Sequence, residues 1–180
     1  MKNYLIIFIK ILKRLMSILK MGIWKILYGK KIRIGKMSFF YPRTHIIIEL
    51  NGKIVIGDNC FFNCNCSINS MQEISIGDNC IFGENVAIYD HNHKYNDGSK
   101  LIREQGYSFE KITIGNNCWI GSNVTILKGA KIGDNVVIGA GVVVHTTIPD
   151  NSIVIFNQPI MTKKRRGINE TISKCNYSGI

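Results

Sequence analysis

An aliphatic or aromatic residue returns at every sixth position through most of this chain, and few folds can use that spacing. The series runs Ile34, Phe40, Ile46; Ile56, Phe62, Ile68; Ile76, Phe82, Ile88; Ile114, Ile120, Ile126; and Ile132, Ile138, Val144. All fifteen positions are apolar, and eight are followed directly by glycine, as in Ile56-Gly57, Ile114-Gly115 and Ile132-Gly133. A step of six fits neither the face of an α-helix nor the two-residue alternation of a strand. It suits a chain whose short strands turn at corners, so that three faces close a triangular coil with one large side chain per face pointing inward. Gly and Asn near each corner accept backbone conformations that branched residues resist. Eighteen residues then make one coil and the pattern predicts about five coils. Each coil buries its core only against its neighbours, as in any solenoid.

The phase slips three times. Four extra residues lie between Ile46 and Ile56, two between Ile68 and Ile76, and twenty between Ile88 and Ile114. A solenoid sheds insertions at its corners as surface loops, and long ones usually carry function. The chemistry is therefore expected in the insertion, residues 89–111. Cys60, Cys66, Cys80 and Cys118 each stand four places after a repeat residue, where Val86, Val124 and Val136 stand elsewhere. They read as small buried thiols in a reducing compartment. Cys64 and Cys175 fall outside the pattern, and Cys64-Asn65-Cys66 is not zinc spacing.

The net charge of +11 suggests nucleic acid until it is mapped. Residues 1–36 hold ten basic and no acidic residues, 37–162 hold eight basic and eleven acidic, and 163–180 hold five basic and one acidic. The body is mildly acidic and both basic zones are terminal, so no nucleic-acid partner is expected. With 46% apolar and 19% charged residues, the chain can bury a real core.

The hexapeptide rule, the interrupting loop, the run Trp119-Ile120-Gly121-Ser122-Asn123-Val124-Thr125-Ile126 and the later Ile132-Gly133-Asp134-Asn135-Val136-Val137-Ile138-Gly139-Ala140-Gly141 together resemble the hexapeptide-repeat acyltransferases. That family includes galactoside, maltose, streptogramin and surface-polysaccharide sugar O-acetyltransferases. The resemblance spans about residues 34–165 and implies an all-β, left-handed parallel β-helix. Handedness comes from the resemblance alone, since general chain chirality favours the opposite crossover. It further implies a homotrimer with active sites in the clefts between β-helices and acetyl-CoA as co-substrate. The expected activity is O-acetylation of a sugar or lipid-linked glycan in surface polysaccharide biosynthesis. Serine-like or streptogramin-like acceptors and a non-catalytic assembly module are the alternatives. A γ-type carbonic anhydrase shares the fold but needs three histidines; coils Ile114–Val144 are followed only by His145, so no metal is expected.

Acetylating a hydroxyl from a thioester requires a base to take the proton, and a neutral imidazole suits that task. The stretch Ile88-Tyr89-Asp90-His91-Asn92-His93 opens the insertion. The resemblance puts the base five residues after the repeat residue, at His93, with His91 as runner-up. Asp90 or Glu104 could orient the imidazole, and the sequence does not choose between them. Asn85 matches an acceptor-contacting position of the galactoside enzyme, and reads equally as a corner Asn. Trp119 matches a Trp near the acetyl-CoA cleft, and reads equally as a packed aromatic. For the donor the resemblance implicates Gly121, Ser122 and Ala140, with Lys163 and Lys164 near the CoA phosphates. One departure is Phe156-Asn157-Gln158-Pro159-Ile160, where the family usually reads Gly-Asn-Pro-Ala.

Three regions follow: a basic amphipathic helix within 1–30, a β-helix over 31–156, and a basic tail over 157–180. In the helix, residues 2–28, Lys10, Lys13, Arg14, Ser17 and Lys20 form a narrow polar stripe against a wide apolar remainder. Its uncharged start, Asn3–Ile9, is far shorter than the roughly 20 residues that span a bilayer. A cationic stripe beside an apolar face fits a helix lying on a membrane; packing within the trimer is the alternative. The expected location is cytoplasmic, peripheral on the inner face of the membrane.

Overall fold

The structure is a computed structural model describing residues 2–156; the basic tail, with Lys163 and Lys164, lies outside the described residues. A helix, Lys2–Tyr28, leads into a parallel left-handed β-helix with three faces. Strands Ile32–Ile34, Ile54–Ile56, Ile74–Ile76, Ile112–Ile114, Lys131–Ile132 and Thr147–Ile148 form the first face. The second runs from Phe39–Phe40 through Phe61–Phe62, Ile81–Phe82, Trp119–Ile120 and Val137–Ile138 to Ile153–Val154. The third comprises His45–Ile48, Ser67–Ser70, Ala87–Tyr89, Thr125–Leu127 and Val143–Val144.

Register follows the sequence repeat, with Phe40 opposite Phe62, Phe62 opposite Phe82 and Phe82 opposite Ile120. There are about six turns, not five. The last is incomplete: Ile148 pairs with Ile132 and Val154 with Ile138, but no third strand follows among the described residues. The sixth turn is hard to read because Ile148 follows Val144 after four residues and breaks the six-residue step.

The corners explain the recurring Ile-Gly-Asp-Asn. A side chain on Gly115 would press on the Gly133 backbone and the Asp134 carboxylate in the next coil. The Asp accepts the amide of the preceding coil, as Asp134 Oδ1 does from Asn116 N–H. The Asn takes the left-handed conformation, and Asn117 Nδ2 donates to Asn135 Oδ1 at 2.8 Å. Inside, the rings of Phe40, Phe62 and Phe82 stack with centroids 4.7 and 4.2 Å apart, close to the spacing of neighbouring strands. This column runs along the prism axis. The thiols of Cys60, Cys80 and Cys118 are buried and donate to the carbonyls of Gly77, Gly115 and Gly133.

The helix closes the first end of the prism. Trp24 meets Phe40 edge-on at 5.1 Å, ending the aromatic column. Ser17 Oγ accepts the Phe40 N–H at 2.8 Å, and Tyr28 Oη donates to the Ile46 carbonyl. Lys20 Nζ reaches the Tyr41 carbonyl, and Lys13 and Arg14 lie over the rings of Tyr41 and Phe39. Burial lowers the Lys20 pKa below its ordinary value. The polar stripe thus faces the protein's own first coil, because the open rim of a β-helix presents carbonyls and amides that need partners. The apolar side faces away.

Candidate active site

The twenty-residue slip leaves the third face after Tyr89 and returns at Ile112. Its base is an antiparallel ladder in which His91 faces Phe109, Asn92 faces Ser108 and His93 faces Tyr107. Glu110 N–H donates to the Asp90 carbonyl at 2.9 Å, which joins the two ends of the insertion, and Lys111 pairs with Glu73 of the preceding coil.

Asp90 is fully buried. Oδ1 accepts the Met71 amide at 2.8 Å and lies 3.1 Å from His91 Nδ1; Oδ2 accepts the Ser70 hydroxyl at 2.7 Å and the Gln72 amide at 2.9 Å. The Ser70 hydroxyl and the Met71 and Gln72 amides all donate to this carboxylate, which therefore serves as acceptor. With Asp90 acting only as acceptor, His91 Nδ1 carries the proton and Nε2 holds the free lone pair. Tyr89 and Tyr107 set their rings edge-on to His91, fixing its plane. The Ser70–Gln72 turn was not singled out from the sequence, yet its signal was present: it occupies the two-residue slip between Ile68 and Ile76.

His93 stands differently. Its ring is tilted against Tyr107 with centroids 4.5 Å apart, and it lines an open cavity of about 530 Å³. Lys94, Asp97, Glu104, Gln105 and Lys128 share that lining. Asp97 pairs with Lys100, and the Ser99 hydroxyl and amide hold its carboxyl below the ordinary carboxylate range. The Asp97 amide and the Gln105 side chain bond to each other at 3.0 Å, which orders the tip of the insertion. Glu104 lies in the same lining as His93, whereas Asp90 bonds to His91.

The remaining residues named from the sequence lie elsewhere on the prism. Asn85 has φ 58° and its Nδ2 donates to Asn123 Oδ1 at 3.0 Å, as a corner ladder requires. Ser122 and Ala140 occupy successive coils of that same corner. Ser122 Oγ accepts the Glu84 amide, and Gly121 lets the Ala140 backbone approach closely. Trp119 projects outward from the second face, 56% exposed. Within one chain, then, Asn85, Gly121, Ser122 and Ala140 gather at one end of the third face and Asp90, His91 and His93 at the other.

Two family models match: the bacterial transferase hexapeptide (six repeats) over residues 111–146 and the hexapeptide repeat of succinyl-transferase over 53–89. A maltose O-acetyltransferase from Clostridium difficile 630 is 34% identical, with 75% of this chain and 68% of that chain covered and a TM-score of 0.60. The chain belongs to the hexapeptide-repeat acyltransferases, in their sugar O-acetyltransferase branch. A hexapeptide-repeat-containing acetyltransferase from Vibrio cholerae O1 biovar eltor, solved with acetyl coenzyme A, is 27% identical over 75% of this chain and 70% of its own, at a TM-score of 0.61. A galactoside acetyltransferase in complex with coenzyme A is 33% identical over 67% of this chain and 61% of its own, at a TM-score of 0.55.

Proposed function

We propose that this protein transfers an acetyl group from acetyl-CoA to a hydroxyl of a sugar, with His91 as general base and Asp90 as the residue that positions it. The observation that carries the reading is the Asp90–His91 pair at an interrupted corner of a family-member β-helix. The carboxylate fixes the tautomer, as in other base–orienter pairs, and leaves Nε2 to act. Nε2 takes the acceptor hydroxyl's proton while that oxygen bonds to the thioester carbonyl carbon. As the carbon–sulfur bond breaks, the same nitrogen returns the proton to the departing sulfur. The reading prefers His91 to His93, the residue the resemblance favours, because the Asp90 carboxylate bonds to His91. His93 keeps a second reading because it lines the cavity, and there we assign it to acceptor contact.

The homotrimer remains part of this reading. Asn85, Ser122 and Ala140 lie across the third face from His91, so a cleft between two prisms can join one subunit's imidazole to its neighbour's donor corner. Free thiols and a CoA thioester fit a reducing, cytoplasmic setting. The test is acetyl-CoA-dependent thiol release with sugar acceptors. His91→Ala should lose about 10²–10⁴-fold in kcat, and His93→Ala less than about tenfold with KM for the acceptor raised. The reverse order would assign the proton to His93, and turnover surviving both changes would remove imidazole catalysis altogether.

A further inference from the structure

The function above does not use the outer side of the N-terminal helix. Leu5, Phe8, Leu12, Leu19, Ile23 and Ile26 recur at helical spacing along it, and all are exposed, Leu19 by 69% and Ile26 by 84%. Isolated apolar residues on a surface need no explanation, but a continuous stripe along a helix about 40 Å long does. The helix already has a partner on its other side, where Ser17 and Trp24 are buried against the first coil. A hydrophobic face turned away from the protein that holds the helix requires something else to cover it.

Geometry narrows the choice. Trp24 caps the Phe40–Phe62–Phe82 column, which runs along the prism axis, so the side opposite Trp24 looks outward along that axis. A second prism packed alongside meets the lateral faces and leaves this end open. Charge narrows it further. Lys25, Lys30, Lys31 and Lys36 are exposed around the same end, and residues 1–36 contain no acid. A second copy meeting this end head-on would set two such basic rims against each other, whereas an anionic surface complements them. Among the described residues no helix is long and apolar enough to cross a membrane.

We propose that the end of the prism capped by this helix docks on an anionic lipid surface, with the stripe sunk among the acyl chains and the basic rim against the headgroups. The helix is fastened to the β-helix by its polar side, so the catalytic body stands upright on the bilayer. Flotation of the full-length chain with phosphatidylcholine vesicles, with and without about one-third phosphatidylglycerol, tests this. A variant carrying Leu12→Glu, Leu19→Glu and Ile23→Glu alters only outward, exposed positions. The expected result is binding to the anionic vesicles that weakens about tenfold or more in the variant and falls as salt rises. Unchanged far-ultraviolet circular dichroism and thiol-release activity of the variant in solution show that it is folded. Binding that is absent, equal on neutral vesicles, or unaffected by the three changes overturns the proposal. So does a lipid-free assembly that halves in mass in the variant, since a second copy would then be the occupant.

Discussion

Removing the negative charge at position 90 should cost the protein in two separate ways, because the same carboxylate orders a turn and holds an imidazole. An Asn there presents an amide N–H₂ to the amides of Met71 or Gln72, or to His91 Nδ1, and one donor loses its acceptor. Asp90→Asn is expected to lose about 1–3 kcal/mol of stability and to lower kcat by about tenfold or more with acceptor KM little changed. Ser70→Ala removes one of the four bonds and should lower stability alone, leaving kcat within about threefold; urea unfolding and thiol release measured on both variants separate the two roles. A second residue-scale effect comes from Cys66. Burial pushes its thiol up to about 11 from an ordinary value of 9.0. The folded state holds that proton more tightly, so the stabilisation is complete below pH 9 and disappears as pH rises toward 11. The denaturation midpoint should fall over that window, and Cys66→Val should lessen the fall by about 3 kcal/mol at most. Valine suits the site because Val86 and Val124 fill its column in later coils. At this scale the sequence brought both histidines forward, and the family resemblance put His93 before His91. The proposed preference for His91 rests on its contact with Asp90, which a turn eighteen to twenty residues upstream holds in place, and the local string Asp-His-Asn-His does not show that turn.

At the scale of the element, the repeat was legible because each coil solves the same packing problem. Inward Ile and Phe stack on their equivalents, and Gly, Asp and Asn serve a close approach, an amide and a left-handed turn. That logic sharpens into a paired test. Gly115→Ala would place a methyl group 2.6 Å from the Gly133 carbonyl carbon, against backbone that cannot swing aside. It should lose about 2 kcal/mol or more. Gly98→Ala, at the tip of the insertion, meets nothing within 4 Å and should change stability by less than about 0.5 kcal/mol. Chemical denaturation of the two variants reads the difference. What the repeat could not convey was orientation. The helix's periodicity showed a polar stripe and an apolar remainder, and a basic stripe ordinarily turns to water. Here Lys13, Lys20 and Ser17 turn inward, because the first coil has no preceding coil to satisfy its rim and only polar side chains can do so. The sixth turn escaped for a related reason: its register comes from strand pairing with Ile132 and Ile138, not from its own spacing.

At the scale of the whole molecule, the two groups of proposed site residues decide how many chains one active site needs. His91 lies at one end of the third face, and Ser122 with Ala140 at the other, so a single prism offers an imidazole and a donor corner that do not converge. If each site joins the imidazole of one subunit to the donor corner of the next, two inactive variants can repair each other. His91→Ala spoils the first half of every site in its own trimers, and Ala140→Trp, a bulky change at an exposed corner, spoils the second. Each homotrimer should be inactive. Unfolding both together and refolding them as a mixture creates trimers in which some clefts pair an intact imidazole with an intact corner. In a closed threefold ring with random assortment, roughly a quarter of all sites regain both halves. Thiol release by the mixture should therefore recover to about that fraction of the unsubstituted enzyme, while mixing without refolding recovers none. A mixture that stays inactive after refolding, in trimers verified by light scattering, would place imidazole and donor within one chain and remove the reason for assembling the site from two subunits.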